Sequence, residues 1–396
     1  MSEKTIIDRV VVAGLGSSGV KIVNRLSGIK EAAWLDIVAI DSDADSLAKC
    51  NAGKKLSVDP DWRNGLGCGG DVVKGQRSLA RERSKIRELI EGASLLIVTG
   101  GLGGGTCTGG APIVASEANA CGIPAVFLLS MPFVFEGHSK TRTAEDGIKE
   151  LLPITDALLS LPNDLLFSSL DAASPVEEAF SKADEEMARA IIGVCEIIRC
   201  DNLLSTDFSD FKSIFSNSKS VCSIGVGLAD EQDGLNRCHI AMERMLESPF
   251  LGGIKQINSA DAVFITITGG KDLKIGEMKK SLEAIANLTD SNARLIIGAN
   301  TDPAYENAVQ LTVITAQVEG LAQNVDKEQQ QVISPVISGP SLKKQADAFA
   351  EYEQQELPLV QISRGIFLHA TPTMHDGFDL DIPTFQRENI IIDKGD

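Results

Sequence analysis

The sequence predicts an α/β protein: a Rossmann-like domain on a parallel sheet, a long central helix, and a second α/β domain. Three observations carry that class. Short apolar runs, Arg9–Ala13, Leu35–Ile40 and Ala93–Val98, alternate with helical patterns such as Arg77–Leu89, as buried parallel strands and their crossover helices do. Two of those runs feed directly into glycine loops, Gly14–Gly19 and Gly100–Gly110. Between Pro175 and Arg199 one helical pattern runs unbroken, with Val176, Phe180, Met187, Ile191, Val194 and Ile198 near one face.

Composition sets the outer limits. With 396 residues, 43% hydrophobic and 23% charged, the chain is long enough for two or three packed domains. Its start, Met1-Ser2-Glu3-Lys4-Thr5, lacks the basic and apolar regions of a signal peptide, and no run suggests a membrane span, so a cytosolic protein is expected. Eight cysteines without Cys-x-x-Cys or zinc spacing read as free thiols, with no structural metal. A formal net charge of −18 repels polyanions and argues against nucleic acid as a partner. It also means that a nucleotide must be held by backbone N–H groups, a few local cations and a bound Mg²⁺.

In chain order, the first strand runs into Gly14-Leu15-Gly16-Ser17-Ser18-Gly19, which matches Gly-x-Gly-x-x-Gly. Asp41 follows twenty-two residues past Gly19, where a dinucleotide fold places its ribose-binding acid. Alone, this pattern supports a nicotinamide oxidoreductase. A second loop, Gly65-Leu66-Gly67-Cys68-Gly69-Gly70, and the third, Gly100–Gly110, count against that reading, because one dinucleotide does not use three cradles. The third loop has seven glycines in eleven positions, so successive N–H groups can close around an anion. Thr106 and Thr108 add hydroxyls, and the following helix points its positive end at the same place. Phosphate binding is the expectation, with loops at the carboxyl ends of parallel strands converging on one crevice.

The core Gly103-Gly104-Gly105-Thr106-Cys107-Thr108-Gly109 resembles the signature of the FtsZ/tubulin superfamily of GTPases, normally all Gly and Thr. Ala39–Asp43, Gly65–Gly70, Pro132-Phe133-Val134-Phe135-Glu136-Gly137 and Leu161-Pro162-Asn163-Asp164 follow in the family's order and spacing. The likeness is strongest to the FtsZ branch and covers nearly the whole chain. It implies a GTP-binding, GTP-hydrolysing cytoskeletal protein that polymerises head to tail and forms the cell-division ring, with GTP or GDP and Mg²⁺ as ligands. Such a protein is cytoplasmic and is recruited to the inner face of the membrane at the division site. A scaffold that binds GTP but barely hydrolyses it stays open beside this reading.

The resemblance also implies a pocket. Gly16, Ser17, Ser18 and Gly19, with Gly103, Gly104, Gly105, Thr106, Cys107, Thr108 and Gly109, hold the phosphates; Lys21, Asp43, Gly69 and Gly70 join the nucleotide-binding set. Glu136 and Asn163 reach the sugar and base region, and Lys140 stands where the family has a phosphate-contacting Arg. Phe180, seventeen residues past Asn163, and Asp184, four further, share a helix face. Pattern alone reads them as a core ring and a solvated acid; the family spacing makes them a ring stacked on guanine and a carboxylate that accepts from its N–H edge. Mg²⁺ is expected to be held mainly by phosphates and water. Cys107 is expected to line the phosphate pocket with its pKa lowered by the helix start, shielded by nucleotide.

Beyond the long helix, Asp207 and Asp210 stand three apart at the start of a helix over Phe211–Ser216. Helix capping accounts for them locally. The resemblance makes them catalytic, entering the next subunit's pocket to polarise the water that attacks the γ-phosphate. Ser220–Gly227, Ala262–Thr268, Arg294–Ala299 and Val309–Ala316 read as strands, with helices near Gly234–Leu246 and Lys274–Leu288. From Gln317 a Gln-rich, Pro-punctuated linker is expected, spanning roughly 45 Å if the 60 residues to Asp376 are coil. The tail Asp379–Arg387, with Leu380, Ile382, Pro383 and Phe385, resembles the FtsZ peptide that docks on membrane-tethering and regulatory division proteins. The expected segments are thus a tail 1–8, a GTP-binding domain 9–174, a central helix 175–200, a polymerisation domain 201–316, a linker 317–376 and a peptide 377–396.

Departures from the family pattern bear on rate. Ser205 replaces an Asn in the catalytic loop, Lys140 an Arg and Lys21 an Asn. Lys lacks the bidentate fork of Arg, and Arg142 is the expected substitute. Ser17, Ser18 and Cys107 in place of glycines narrow the room around the phosphates.

Overall fold

Continuous apolar runs become strands covered on both faces. In the computed structural model, which describes residues 9–58, 67–169, 175–198, 220–234, 236–318, 374–375 and 378–379, they build a six-stranded parallel sheet. Its strands are β1 (Val10–Leu15), β2 (Asp36–Asp41), β3 (Lys54–Ser57), β4 (Leu95–Gly101), β5 (Ala125–Met131) and β6 (Ala157–Pro162), in the order β3-β2-β1-β4-β5-β6. Side chains alternate between two cores. Val10, Val12, Leu95, Ile97, Val126 and Leu128 face helices α1 (Gly16–Leu26) and α7 (Val176–Ile198). Val11, Ala13, Leu96, Val98, Phe127 and Leu129 face α3 (Val72–Arg81), α4 (Arg83–Ile90), α5 (Gly105–Ala120) and α6 (His138–Leu151); a short α2 (Ala44–Ala48) follows β2.

Two expectations are corrected. The single helix over Arg77–Leu89 is two, broken at Glu82, which has left helical geometry at φ −102°, ψ 15°. The bend buries Ile86 and Ile90 and brings both Arg83 and Arg87 onto the buried carboxylate of Glu117 on α5, each at 2.8 Å. On α7 the apolar surface is wider than one stripe: Val176 is 62% exposed, whereas Ala183, Ala190, Ile192 and Cys195 are buried. The cause is that α7 packs on both sheets and so has no fully solvated side over its second half.

The second sheet runs β7-β10-β8-β9, from β7 (Ser220–Ala229), β8 (Ala262–Gly269), β9 (Arg294–Thr301) and β10 (Val309–Val318). β10 is antiparallel to both neighbours and β8 is parallel to β9. Helices α8 (Arg237–Leu246), α9 (Ile254–Asn258) and α10 (Ile275–Ala286) cover its far face through Cys238, Ala241, Met245, Ile257, Leu282 and Ile285. β10 runs two residues past Ala316, pairing Gln317 with Val221 and Val318 with Ser220, so strand pairing overlaps the start of the expected linker. The chain divides into two units, Met1–Ile333 and Ser334–Asp396; in the second, Met374–His375 pairs antiparallel with Phe378–Asp379. Among the described residues no helix is long and apolar enough to cross a membrane.

Helices α3 and α5 cross with their backbones in contact. A Cβ on Gly109 would stand 2.1 Å from the Val72 carbonyl oxygen, and one on Gly75 would stand 1.9 Å from that of Gly105. These are main-chain atoms, so a side chain must push the helices apart. Gly109→Val is therefore expected to destabilise the fold by about 3 kcal/mol, read as a lower urea midpoint. Gly104→Val, whose Cβ meets no atom within 4 Å, serves as the control; equal midpoints for the two variants would show that the close crossing is not required.

Candidate functional site

Strand order reverses between β1 and β4, and loops leaving adjacent strands in opposite directions open a crevice at such a point. A cavity of about 340 Å³ lies there. It brings together Gly16, Ser17, Ser18 and Lys21 of α1, Asp43 after β2, Gly69 and Gly70, and Gly104, Gly105, Thr106 and Cys107 at the start of α5. Glu136 and Lys140 after β5, Asn163 after β6, and Phe180 and Asp184 of α7 complete it. Two helix N-termini thus open onto one space, each offering unpaired N–H groups and a positive dipole end.

The structure does not bring Gly19, Gly103, Thr108 or Gly109 to that cavity. Gly19 lies against β4, where a Cβ would stand 2.5 Å from the Thr99 carbonyl oxygen, and Gly103 lies against Lys140. Thr108 accepts the Gly103 N–H at 2.9 Å and closes the turn from within, and Gly109 faces α3. These four shape the wall from behind. Asp207 and Asp210, with Ser205, lie outside the described residues, as do Leu380, Ile382, Pro383 and Phe385.

Other lining residues fall outside the expected set: Asp41, Ser42, Gly67, Cys68, Ser130 and Met187. The sequence presents Asp41 only as a ribose acid of the dinucleotide alternative. Here it is buried, accepting from the Ser17 hydroxyl at 2.8 Å and the Ser42 N–H at 2.7 Å, and burial raises its pKa. The Ser42 and Thr106 hydroxyls share a hydrogen bond at 2.7 Å, and the Cys68 thiol donates to Ser42 at 3.3 Å. Side chains from α1, β2, the 67–70 loop and α5 are so tied together around the mouths of the two helices.

At the other end, Phe180 meets Phe133 edge-on, centroids 5.3 Å apart, and Phe133 stacks on Phe135 at 4.9 Å. Asp184 is pushed up to about 6 by burial, opposed by the charges of Lys21 and Arg25. Asn163 is 6% exposed and its Oδ1 has no protein partner, so an acceptor lies buried at a cavity that a ligand donor would satisfy. Glu136 accepts the Phe133 N–H at 2.8 Å and pairs with Lys140 through its second oxygen. Arg142 does not line the cavity, so Lys140 is the cation on this side.

Cys107 lies at the cavity wall, yet it is only 3% exposed, and burial together with Asp41 pushes its thiol up to about 12. The expected lowering is therefore corrected: desolvation outweighs the N–H groups of the helix start. Iodoacetamide at about pH 8, near the ordinary thiol pKa, is expected to leave Cys107 unmodified in folded protein with or without nucleotide and to label it after denaturation. Labelling of the folded, nucleotide-free protein would contradict this burial.

The donor set suits a magnesium nucleotide. Hydroxyls of Ser42 and Thr106 and the Asp43 carboxylate supply hard oxygen at the phosphate end, while among the described residues no group of three or more His, Cys, Asp or Glu could hold a metal alone.

Residues 9–171 match the GTPase domain of the tubulin/FtsZ family, and residues 220–319 match the C-terminal domain of the FtsZ family. Among solved structures, an empty FtsZ dimer from M. jannaschii is 32% identical over 79% of this chain and 89% of that chain, with a TM-score of 0.67. A tryptophan-to-tyrosine mutant of FtsZ from the same organism matches at 32% identity over 79% and 92%, TM-score 0.66. CetZ2 from Haloferax volcanii, in a GTPγS-bound protofilament, shares the fold at 20% identity over 81% and 98%, TM-score 0.61. With the switch-point cavity, the two helix mouths and both domain matches in place, the chain belongs to the FtsZ/tubulin family of GTPases.

Proposed function

We propose that this GTPase binds GTP with Mg²⁺ in the switch-point cavity, assembles head to tail into protofilaments, and hydrolyses GTP at sites completed by the next subunit in a cell-division ring. The observation that carries the reading is the cavity itself, with phosphate-type donors at one end and an aromatic ring and a carboxylate at the other. The N–H groups of Gly16–Ser18 and Gly104–Thr106 cradle phosphate oxygens at the two helix mouths. Lys140, released from Glu136, adds the local cation that a chain of net charge −18 needs there. Phe180 carries the base, Asp184 accepts from its N–H edge, and Asn163 and Glu136 accept from the sugar and base donors. A bound Mg²⁺ would neutralise phosphate charge there, and Asp43, Ser42 and Thr106, which line the cavity, are the side chains that would hold it, through its water ligands.

Asp207 and Asp210 are the water-orienting acids, presented to the neighbour's pocket from the segment that follows α7 in the chain. Segments 9–174 and 201–316 act as nucleotide and polymerisation domains joined by helix 175–200, a division supported by the separate sheets on either side of α7. Segment 317–376 is the linker, and 377–396 docks on membrane-tethering and regulatory division proteins, holding a cytoplasmic filament at the membrane. Release of bound nucleotide by denaturation and ion-exchange chromatography tests the base assignment. GDP or GTP is expected; NAD would instead favour the dinucleotide alternative.

A further inference from the structure

A carboxylate is buried in the wall of a cavity built for phosphate. Asp41 ends β2 with only 1% of its surface exposed and lines the cavity beside Asp43. Among the described residues no Lys, Arg or His nitrogen lies within 4.0 Å of it. What faces it instead are neutral donors: the Ser17 hydroxyl at 2.8 Å, the Ser42 N–H at 2.7 Å, and with them the Asp43 N–H and the Ser46 hydroxyl. These hold the accepting form without cancelling its charge.

Its place in the fold decides what that charge meets. Ser17 belongs to the first turn of α1, and Cys107, whose thiol the Asp41 charge helps to push up, belongs to the first turn of α5. The carboxylate therefore faces both helix mouths. Asp43 is different: half-buried, it accepts from the Asp45 and Ser46 N–H groups as the cap of α2, and water screens it. Burial leaves the Asp41 charge unscreened.

We propose that Asp41 is a specificity-determining residue that acts by repulsion, so that the cavity selects the magnesium complex of its nucleotide over the metal-free form. This rests on the guanine-nucleotide reading above. A metal-free phosphate chain brings its whole negative charge against a fixed one inside a low-dielectric wall, whereas a chain carrying a divalent cation brings much less. A cradle of N–H and hydroxyl groups alone would accept both. The carboxylate supplies the penalty against the wrong form, which contacts to the right form cannot supply.

Equilibrium competition against a fluorescent GDP analogue at about pH 8, well above the ordinary carboxylate range, tests the assignment when run once with Mg²⁺ and once with EDTA. Wild-type protein is expected to bind GDP at least about tenfold more tightly with Mg²⁺. Asp41→Asn keeps the shape, still accepts from the Ser42 N–H, and lets the Ser17 hydroxyl turn to accept from the new amide. It should tighten metal-free GDP about tenfold and leave the magnesium complex within about twofold of its wild-type affinity. Guanosine, which carries no phosphate, should bind both proteins alike. A change in guanosine binding would make the role structural and overturn the proposal. Equal shifts for GDP with and without Mg²⁺, or no shift at all, would overturn it too, as would a wild-type protein indifferent to Mg²⁺. Wild-type protein that binds no guanine nucleotide in either buffer would instead overturn the parent reading.

Discussion

Asp184→Asn is expected to weaken GDP binding about 100-fold, roughly 3 kcal/mol, and to confer binding of XDP. The physical reason is a change of polarity at constant shape. An Asp carboxylate accepts from both N1–H and N2–H of guanine; an Asn presents one acceptor and one donor, which opposes the guanine amino group and suits the C2 carbonyl of xanthine. The same residue sets a pH dependence. Its pKa is raised, so the accepting carboxylate is present above about 6 and is lost as pH falls through that value. Wild-type affinity for GDP should then drop about tenfold for each unit below about pH 6, and that slope should vanish in Asp184→Asn. An isothermal titration series from about pH 5 to about pH 8, spanning the raised carboxyl pKa, measures both. If Asp184→Asn binds GDP like the wild type, Asp184 does not read the base.

Much of this was legible in the sequence. The strands that end in glycine loops, β1 and β4, and the Leu35–Ile40 run of β2 are plain because burial on both faces leaves an unbroken apolar run. Edge strand β3 has two exposed lysines and one buried leucine, no period at all, and needs the sheet to define it. β5 and β6 are not read as strands in the sequence; only the motifs Pro132–Gly137, just after β5, and Leu161–Asp164, at the end of β6, mark their places. Within the glycine loop, every glycine looks alike in one dimension. Gly105 and Gly109 are four apart and so share a helix face, a signal that this face meets another backbone; the ligand-facing and helix-facing roles separate only once α3 is in place. Burial decides Cys107 in the same way, because a helix start gives a thiol a favourable dipole but says nothing of the desolvation that opposes it. Asp41 escapes sequence reasoning because a carboxylate near phosphates reads as a misfit until its partners, Ser17 and the Ser42 N–H, are seen.

The central claim is a GTPase site split between subunits: the phosphate loops precede α7 in the chain and the acids Asp207 and Asp210 follow it. Two carboxylates aimed at a triphosphate in their own pocket would repel it; supplied by a neighbour, they arrive only on assembly, when packing and Mg²⁺ offset the repulsion. Activity should accordingly rise with protein concentration above a threshold. The direct measurement mixes two inactive variants. Asp210→Ala keeps its pocket and lacks an acid, whereas Gly104→Glu, at a position where an added Cβ meets no atom within 4 Å, sets a carboxylate at the mouth of α5 to repel phosphate. In a random head-to-tail filament, about one contact in four joins an intact pocket to an intact loop. Phosphate release from an equimolar mixture should therefore recover to about a quarter of the wild-type rate, with neither variant active alone. A mixture that co-sediments as filaments yet releases no phosphate would contradict hydrolysis in trans through Asp210.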